Sequence, residues 1–403
     1  MDVNSLKAAV CARVDELADR LVDASHQIHA RPELNYEERF AHGLLTDLLD
    51  ELGAEQGIRP VRHAYGVETA FDAEVGAAGG PSVAVLCEYD ALPVIGHACG
   101  HNIIAAAGLG AGLAAAVVAE SMGGRLRIMG TPAEEGGGGK VVMARAGAFD
   151  GVDAAMMVHP ADADLIRMDC LAIQGVDVEF HGRAAHAAAA PWEGRNALDA
   201  AVLGYTSISQ MRQHIRPDER IHGIFTKGGD KANIVPSSAA MEWYVRSGTM
   251  QRLEVLKARV VTALEASAAA CGCSMNHHWV ENPYADMVDN GPMVSSYVAN
   301  AGTLGRRVAD PRATGKVVMG STDMGNISYL VPSIHPMIQV APDGVPIHSV
   351  DFARYAASDE GDRAVIDGAK AMAMTVVDLW SSAELRNAVA AEFATRPTGV
   401  AVL

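Results

Sequence analysis

The fold is decided by residues 82–135, which read SVAVLCEYDALPVIGHACGHNIIAAAGLGAGLAAAVVAESMGGRLRIMGTPAEE. The mostly apolar runs at 82–87 and 125–129 have the length and composition of buried strands. The Ala- and Gly-rich stretch between them, from His101 to Glu120, predicts a helix. A strand, a helix and a second strand in this order predict an α/β domain with a largely parallel sheet.

The same alternation extends on both sides of this unit. Helical periodicity or strand-like runs are present at 5–24, 37–52, 140–146, 154–158, 316–319, 334–340, 351–380 and 383–394. From residue 171 the pattern changes, because LAIQGVDVEF alternates apolar and polar residues as a half-exposed strand does. A helix at 197–213, strands at 220–226 and 239–247, a helix at 252–270 and a strand at 274–280 follow. The order β-α-β-β-α-β predicts a ferredoxin-like α+β domain.

We therefore predict two domains, which is also what a chain of 403 residues suggests. The first is an α/β domain with a mixed sheet and helices on both faces, formed by residues 1–171 and 285–403. The second is the α+β domain, inserted at 172–284.

The composition restricts the partners and the location of the protein. A net charge of −17, from 32 basic and 49 acidic side chains, opposes binding to nucleic acid or to an anionic membrane. The uncharged run at 103–119 is too poor in strongly apolar residues for a membrane span and predicts a buried helix. The segment MDVNSLKAAVCARVDELADR has no apolar core, and the six cysteines are scattered, so we expect no secretory signal and a reducing, cytoplasmic environment.

Polar side chains follow the predicted strands at the point where each strand ends. Asp90 comes after SVAVLC, Glu134 and Glu135 come after RLRIM, His159 comes after AAMMV, and His348 follows IHPMIQV and a loop. Ligands of open α/β sheets bind in the crevice beyond the carboxyl ends of the strands. We therefore expect these side chains to meet at one edge of the sheet.

A Cys-x-His pair, Cys99 and His101, adds a thiolate and an imidazole to this set. Thiolate, imidazole and carboxylate together suit zinc or a similar divalent ion. Each signal is weak alone, since a single Cys-x-His is commonly incidental and paired glutamates commonly lie in solvent, but their joint occurrence at strand ends predicts a metal site. Asp90 and His97 are candidates for orienting the ligands, and Asp323 could line the crevice without being a ligand.

The glycine-rich stretches do not predict a phosphate site. Gly136–Gly139 precede Lys140, but Val141 stands where a P-loop needs Ser or Thr. The glycines at 108, 110 and 112 lack the dinucleotide-binding spacing and lie inside a predicted helix. Gly136–Gly139 are better explained by a close approach of the backbone beside the metal site.

Several segments together resemble one metallopeptidase family. They are, in order, HQIHARPELNYEE, CEYDALPVIGHACGHN, GTPAEEGGGGKVVM, HGRAAHAAAAPWEGRNALDA and GSTDMGN, and the resemblance runs from about residue 26 to about residue 350. The family includes carboxypeptidase G, aminoacylase, hippurate hydrolase and plant auxin-conjugate hydrolases. The form EYDALP…GHACGHN is most similar to the branch with aminobenzoyl-glutamate hydrolase and related dipeptidases. The resemblance implies a catalytic domain that holds two divalent metal ions and an inserted lid domain that mediates dimerisation.

The resemblance also implies a set of metal ligands. They are Cys99, which would bridge the two ions, His101, Glu135, His159 and His348. Many members of the family bridge the metals with an aspartate where this chain has Cys99. The softer ligand set leaves zinc, manganese and nickel open, with cobalt also possible. Asn102 stands where related branches continue with Asp, which argues against an auxin conjugate as the substrate.

The remaining roles are implied in the same way. Glu134 would be the general base that takes a proton from a metal-activated water and passes it to the leaving amine. His186 resembles the oxyanion-binding histidine that reaches the site from the partner subunit. Asn233 and Arg246 resemble lid residues that hold the α-carboxylate of the substrate. The ordinary alternatives are an exposed loop residue for His186, a turn cap for Asn233 and a surface ion-pair partner for Arg246.

The predicted activity is metal-dependent hydrolysis of the amide bond of an aryl or alkyl N-acyl amino acid, by a homodimer or higher homo-oligomer. A dipeptidase would use the same metals and remains open. A non-catalytic metal-binding protein is a second alternative, although it would have no need of Glu134. A thiol enzyme with Cys99 as nucleophile and His101 as base is a third, and it would leave the other Glu and His ligands unexplained.

Overall fold

The computed structural model describes residues 2–280, 282–314 and 319–403. Numbered along the chain, its helices are α1 Val3–His29, α2 Arg39–Leu52, α3 His101–Met122, α4 Gly139–Arg145, α5 Ala197–Met211, α6 Met250–Ala270, α7 Gly291–Thr303, α8 Pro311–Thr314, α9 Met324–Leu330, α10 Val350–Tyr355, α11 Asp359–Ser381 and α12 Ala383–Phe393. Its strands are β1 Val61–Arg62, β2 Phe71–Gly76, β3 Ser82–Cys87, β4 Arg125–Gly130, β5 Ala154–Met156, β6 His159–Ala161, β7 Asp169–Cys170, β8 Ala172–His181, β9 Arg220–Lys227, β10 Ser238–Ser247, β11 Ser274–Trp279, β12 Met319–Gly320, β13 Ser333–Ile334 and β14 Met337–Gln339.

The chain divides into two compact units. The first comprises the residues up to Asp169, Met287–Thr398 and Leu403, and the second comprises Cys170–Asp286 and Gly399–Val402. The divisions predicted from the sequence were 171/172 and 284/285, within two residues of these boundaries.

The first unit is built on a six-stranded mixed sheet in the order β1-β2-β4-β3-β5-β13. Strands β4, β3, β5 and β13 are parallel, whereas β2 is antiparallel to β4 and β1 is antiparallel to β2. All six residues of β3 are buried, as its apolar sequence requires of a central parallel strand. The predicted α/β class with a mixed sheet is confirmed.

Helix α3 lies in the core of this unit. By length and composition it could span a membrane, but almost all of its residues are buried inside the unit. It contacts α1 and α11 as well as β3 and β4. The predicted buried helix is therefore observed, and it begins at His101, so the core fixes the position of a candidate metal ligand.

Two predicted elements are each divided in the structure. The strand predicted at 334–340 is the separate pair β13 and β14, because Pro336 has no N–H for a ladder and its carbonyl accepts a hydrogen bond from the backbone of His159. The helix predicted at 351–380 is the pair α10 and α11, because the side chain of Ser358 caps a new helix at the backbone N–H of Gly361. The strand predicted at 316–319 lies outside the described residues except for Met319.

The second unit is a four-stranded antiparallel sheet in the order β11-β8-β10-β9. Helices α5 and α6 contact β8 and β10, and Phe180 and Trp243 are fully buried. Along the chain the elements follow as β8-α5-β9-β10-α6-β11. The predicted β-α-β-β-α-β order is confirmed.

Candidate metal centre

The parallel strands of the first unit end side by side, and a polar residue follows each of them. Glu134 and Glu135 follow β4, Glu88 and Asp90 follow β3, His159 follows β5, and His335 follows β13. Parallel strands of one sheet present their carboxyl ends at the same edge. The sheet therefore gathers these side chains at one crevice, and Asp90, Glu134, Glu135 and His159 among them were named from the sequence.

The five predicted ligands form two overlapping groups that share Cys99. The ligand atoms of Cys99, His101 and His159 lie within 4.8 Å of one another, and so do those of Cys99, Glu135 and His348. Sγ of Cys99 is 3.4 Å from Nε2 of His159. Adjacent ligands of one tetrahedral ion lie roughly 3.3–3.8 Å apart, given bond lengths of about 2.0–2.3 Å. Cys99 is therefore the residue that the two groups have in common.

Two histidines are oriented so that Nε2 faces this centre. Nδ1 of His101 is 3.1 Å from Oδ1 of Asp90, and Nδ1 of His159 is 2.7 Å from the carbonyl oxygen of Pro160. When Nδ1–H donates to these oxygens, Nε2 carries the lone pair that a metal needs. Within the described part of the chain, Nε2 of His101 and Oε1 of Glu135 are buried without a hydrogen-bond partner. Buried acceptors without a donor are the atoms that a bound cation would satisfy, so the site fits a divalent metal.

Asp90 contacts both sides of the centre. Its Oδ2 accepts a hydrogen bond from the backbone of Glu135 at 2.9 Å, while its Oδ1 faces His101. The side-chain amide of Asn35, oriented to satisfy both of its neighbours, donates to the same Oδ2 at 2.8 Å and accepts from the backbone of Gly136 at 3.3 Å. Asp90 is therefore placed to orient two of the candidate ligands.

A second carboxylate holds the start of the Glu134–Glu135 loop. Oε1 of the buried Glu38 accepts a hydrogen bond from the backbone of Ala133 at 2.9 Å, and its Oε2 accepts one from the hydroxyl of Thr69 at 2.8 Å. Ala133 has a φ of 59°, a left-handed conformation that costs free energy for a residue with a Cβ. Burial raises the pKa of Glu38 to about 7. The sequence analysis did not identify this residue as part of the site, although it belongs to the segment HQIHARPELNYEE.

Glu134, the predicted base, lies among buried charged groups. Its carboxylate is within 4.8 Å of a ring nitrogen of His101 and of an oxygen of Glu88. Burial, together with the carboxylates of Glu88 and Glu135, holds the pKa of Glu134 well above its usual range. A carboxylate whose affinity for protons is raised in this way suits a general base beside an acidified water.

Glu88 and Lys140 form a buried ion pair that the sequence analysis missed. Nζ of Lys140 contacts Glu88 and lies 2.7 Å from Oδ1 of Asp323, and all three side chains are buried. Asp323 therefore binds a lysine rather than a predicted metal ligand. The sequence did contain a signal for Glu88. It comes directly after the strand SVAVLC and two residues before Asp90, where side chains of the crevice are expected.

The other predicted residues of the first unit differ in exposure. The side chain of His348 is half exposed, with Nε2 3.5 Å from Oε1 of Glu135. Its backbone φ is 63° and its N–H donates to the carbonyl of Ala98 at 2.8 Å. His97 is buried, and within the described residues its ring makes no hydrogen bond to a ligand. Burial and the neighbouring His101 and His29 lower the pKa of His97 to about 3, so its imidazole is neutral.

In the second unit, His186 and Asn233 are neighbours. Nδ1 of the exposed His186 accepts hydrogen bonds from the backbones of Ala188 and Ala189 at 3.2 and 3.1 Å. Its proton is therefore on Nε2, which can donate to an oxyanion. The backbone N–H of Ala187 donates to the carbonyl of Asn233 at 3.0 Å, which places Asn233 beside the His186 segment.

Arg246 lies elsewhere in the second unit. Ser238 is the first residue of β10, at the end of the strand near Asn233. Arg246 lies eight residues further along the same strand, where it pairs with Ile173 of β8 and Arg220 of β9. Eight residues of strand span roughly 26 Å. A single copy of this unit therefore brings His186 and Asn233 together and leaves Arg246 apart from them.

Comparison with known proteins shows the family of the chain. Residues 172–270 match the peptidase dimerisation domain named M20_dimer. The chain is 39% identical over 404 residues to the Xaa-Arg dipeptidase of Mus musculus, covering 97% of this chain and 93% of the relative. The chain belongs to the M20 peptidase family. One subunit of the p-aminobenzoyl-glutamate hydrolase of Escherichia coli is 28% identical over 433 residues, covering 90% of this chain and 89% of the relative.

A solved structure shares the fold. A dinuclear metal-binding M20 peptidase of Bacillus subtilis superposes with a TM-score of 0.68 at 18% identity, covering 91% of this chain and 99% of the other. The predicted family, its aminobenzoyl-glutamate hydrolase and dipeptidase branch, and the enzyme class are confirmed. This M20 enzyme is a metal-dependent amide hydrolase.

Proposed function

We propose that this M20 enzyme cleaves the amide bond between an acyl group and an amino acid with a free α-carboxylate, using two divalent ions that Cys99, His101, Glu135, His159 and His348 would hold. The observation that carries the proposal is the presence of Cys99 in both ligand groups, with the carboxylate of Glu134 within 4.8 Å of a ring nitrogen of His101. A purely metal-binding protein would need the ligands but not a buried carboxylate of raised pKa beside them.

Zinc or manganese suits this donor set best, with nickel or cobalt as alternatives. Thiolate and imidazole are borderline-soft donors, while Glu135 supplies a hard oxygen. Cys99 must be reduced to act as a ligand, and the six cysteines of the chain are free thiols. This supports a reducing cytoplasm as the location.

The protein supplies proton transfer and orientation. When bound, the two ions acidify a water molecule and polarise the carbonyl of the amide. Glu134 takes the proton of the attacking water and passes it to the leaving amine, for which its raised pKa is suited. Asp90 fixes His101 and the backbone of Glu135, so the ligands keep their positions while the bond breaks.

The inserted domain supplies the groups that bind the substrate. Nε2–H of His186 donates to the developing oxyanion, and Asn233 and Arg246 bind the α-carboxylate. The separation of roughly 26 Å along β10, from eight residues at about 3.3 Å each, supports a homodimer or higher oligomer in which two copies contribute these residues.

A dipeptidase is a second candidate, and the Xaa-Arg dipeptidase relatives support it as well. The Xaa-Arg dipeptidases of Mus musculus and Homo sapiens are 39% and 36% identical over nearly the whole chain. The acyl half of the substrate would then carry a free amine, while the metals and Glu134 would have the same roles.

The test is amine release from a panel of hippurate, N-acetyl amino acids, aminobenzoyl-glutamate and dipeptides that include Xaa-Arg. The protein is stripped of metal and then given zinc or manganese. We expect metal-dependent release, and the responding class separates an acylase from a dipeptidase. The Glu134→Gln variant loaded with the same metal is the control for contaminating peptidases. Absence of release together with absence of metal binding would overturn the proposal.

A further inference from the structure

The two carboxylate oxygens of Glu88 have different neighbours: one faces the candidate metal centre and the other contacts a lysine. Its Oε2 pairs with Nζ of Lys140, and its Oε1 lies 3.3 Å from Nε2 of His101. The side chains of Glu88 and His101 are almost completely buried. Within the described residues, neither Oε1 of Glu88 nor Nε2 of His101 has a hydrogen-bond partner.

This pair of atoms is placed to share a cation. Nδ1 of His101 faces Oδ1 of Asp90, and when Nδ1–H donates to that oxygen, Nε2 presents its lone pair on the side of Oε1 of Glu88. Two ligands of one tetrahedral ion lie roughly 3.3–3.8 Å apart, given bond lengths of about 2.0–2.3 Å. The 3.3 Å between Nε2 of His101 and Oε1 of Glu88 lies at the short end of this range, so both atoms can bind one ion.

We propose that Glu88 is a sixth protein ligand, bound through Oε1 to the same ion as His101. This inference rests on the metal centre of the proposed function and extends its ligand set. The ion held by Cys99, His101 and His159 would then have a buried carboxylate ligand as well.

Lys140 and Asp323 hold Glu88 in the required orientation. The carboxylate of Asp323 accepts hydrogen bonds from the backbone N–H of Lys140 at 2.8 Å and from its Nζ at 2.7 Å. The lysine is therefore fixed at both ends, and its contact with Oε2 leaves Oε1 of Glu88 directed at His101. A ligating carboxylate is commonly held by a second hydrogen-bonding group in this way.

The test is metal affinity, measured separately from activity. Zinc binding is followed by competition with a chromophoric chelator, and cobalt binding by the visible absorption bands of the bound ion. Glu88→Gln removes the charge, while Glu88→Asp keeps the charge that Lys140 needs and withdraws the oxygen by one methylene group. Glu219→Gln is the matched control, because Glu219 is also buried but lies in the second unit.

We expect Glu88→Gln to weaken the binding of one of the two ions by at least about 100-fold, more than the 10–100-fold typical of groups that only orient a ligand. Glu88→Asp should weaken the same ion and shift the cobalt bands, and Glu219→Gln should do neither. If Glu88→Gln does not fold, Glu88→Asp decides the question alone.

Unchanged affinities and cobalt bands in the Glu88 variants would overturn the inference and leave Glu88 as a partner of Lys140 only. This failure is distinguishable from a failure of the proposed function. In the latter case the wild-type protein itself would bind no metal or release no amine.

Discussion

Asp90 joins two candidate ligands from different elements, with Oδ1 3.1 Å from Nδ1 of His101 and Oδ2 2.9 Å from the backbone nitrogen of Glu135. One carboxylate thus fixes an imidazole at the start of α3 and the loop after β4. The candidate ligands lie at the ends of separate helices and strands. Hydrogen bonds such as those of Asp90 therefore help to fix the ligands relative to one another.

We expect Asp90→Asn to lower metal affinity without removing a ligand. The amide has one oxygen instead of two equivalent ones, so it cannot accept from both His101 and Glu135. Loss of such an orienting group typically costs 10–100-fold in affinity. Chelator competition measures this, and Asp153→Asn is the control because Asp153 also accepts from a backbone N–H, that of Ser82, away from the centre. Wild-type affinity in Asp90→Asn would show that the loop and α3 hold the ligands without this carboxylate.

We expect Glu134→Gln to separate chemistry from metal binding. The glutamine cannot take a proton, so kcat should fall by roughly 10²–10⁴-fold, the usual contribution of a general base. Metal content, measured by atomic emission, should remain that of the wild type. Glu135→Gln is the matched comparison and should lose metal instead, since Oε1 of Glu135 faces both His101 and His348. Near-normal kcat in Glu134→Gln would assign the base elsewhere.

The sequence predicted the order of elements and the ligand-bearing strand ends because both depend on local patterns. Apolar strands and the glycines around Cys99 are visible in a single chain. Glu88, Lys140 and Asp323 were not recognised as a network, since lysine is almost never fully buried. Only the fold brings Asp323 to Lys140, 183 residues away along the chain.

The missed elements have a similar explanation. Strand β1 has only two residues, and β2, with the sequence FDAEVG, has little of the apolar continuity that identified β3. Glu38 precedes helix α2 by one residue, and its connection to Ala133 is a tertiary contact with no local signature.

Metal binding at neutral pH should release at least one proton per chain. Burial, together with the carboxylate of Glu135, holds the pKa of the Cys99 thiol well above its usual range, so the metal-free thiol is protonated and must lose its proton to bind a metal. A pH-stat titration with zinc measures the release. Cys87→Ala keeps Cys99 and should leave the number of protons unchanged. Metal uptake without proton release would exclude Cys99 as a thiolate ligand.

Alkylation provides a second measurement of the same thiolate. Peptide mapping after iodoacetamide treatment distinguishes Cys99 from the partly exposed Cys11, Cys271 and Cys273. A thiolate that binds the metals is protected, so Cys99 should be modified only after the metals are removed. Inactivation of the holoenzyme at Cys99 that chelators do not affect would instead support a nucleophilic thiol.

Glu38→Gln should change how stability depends on pH. The pKa of Glu38 is raised from 4.5 to about 7 in the folded protein, so the folded state binds this proton more tightly than the unfolded state. The resulting stabilisation is complete below pH 4.5 and is lost as the pH rises through about 7. Relative to the permanently neutral Gln variant, the wild type should lose about 3 kcal/mol of unfolding free energy over this window.

Urea unfolding of the metal-free proteins at pH 4.5 and 7.5 measures this difference. Glu74→Gln is the control, because Arg125 lowers the pKa of Glu74 and the stability linked to Glu74 is lost only as the pH falls. The free energy of unfolding of Glu74→Gln should therefore change with pH between 4.5 and 7.5 in the same way as that of the wild type. A constant difference between the wild type and Glu38→Gln would contradict the raised pKa.

Gly108→Ala should destabilise the protein although alanine favours a helix. A Cβ at Gly108 would lie 2.4 Å from the carbonyl oxygen of Leu86 in β3, and a backbone atom of a central strand cannot move aside cheaply. Overpacking of this kind costs about 1–3 kcal/mol. Gly43→Ala in α2 is the matched control, since no atom lies within 4 Å of its Cβ position, and it should gain up to about 1 kcal/mol. Because α3 begins at His101, a shift of the helix in Gly108→Ala should also weaken metal binding. Equal stability of the Gly108→Ala and Gly43→Ala variants would contradict the close contact between α3 and β3.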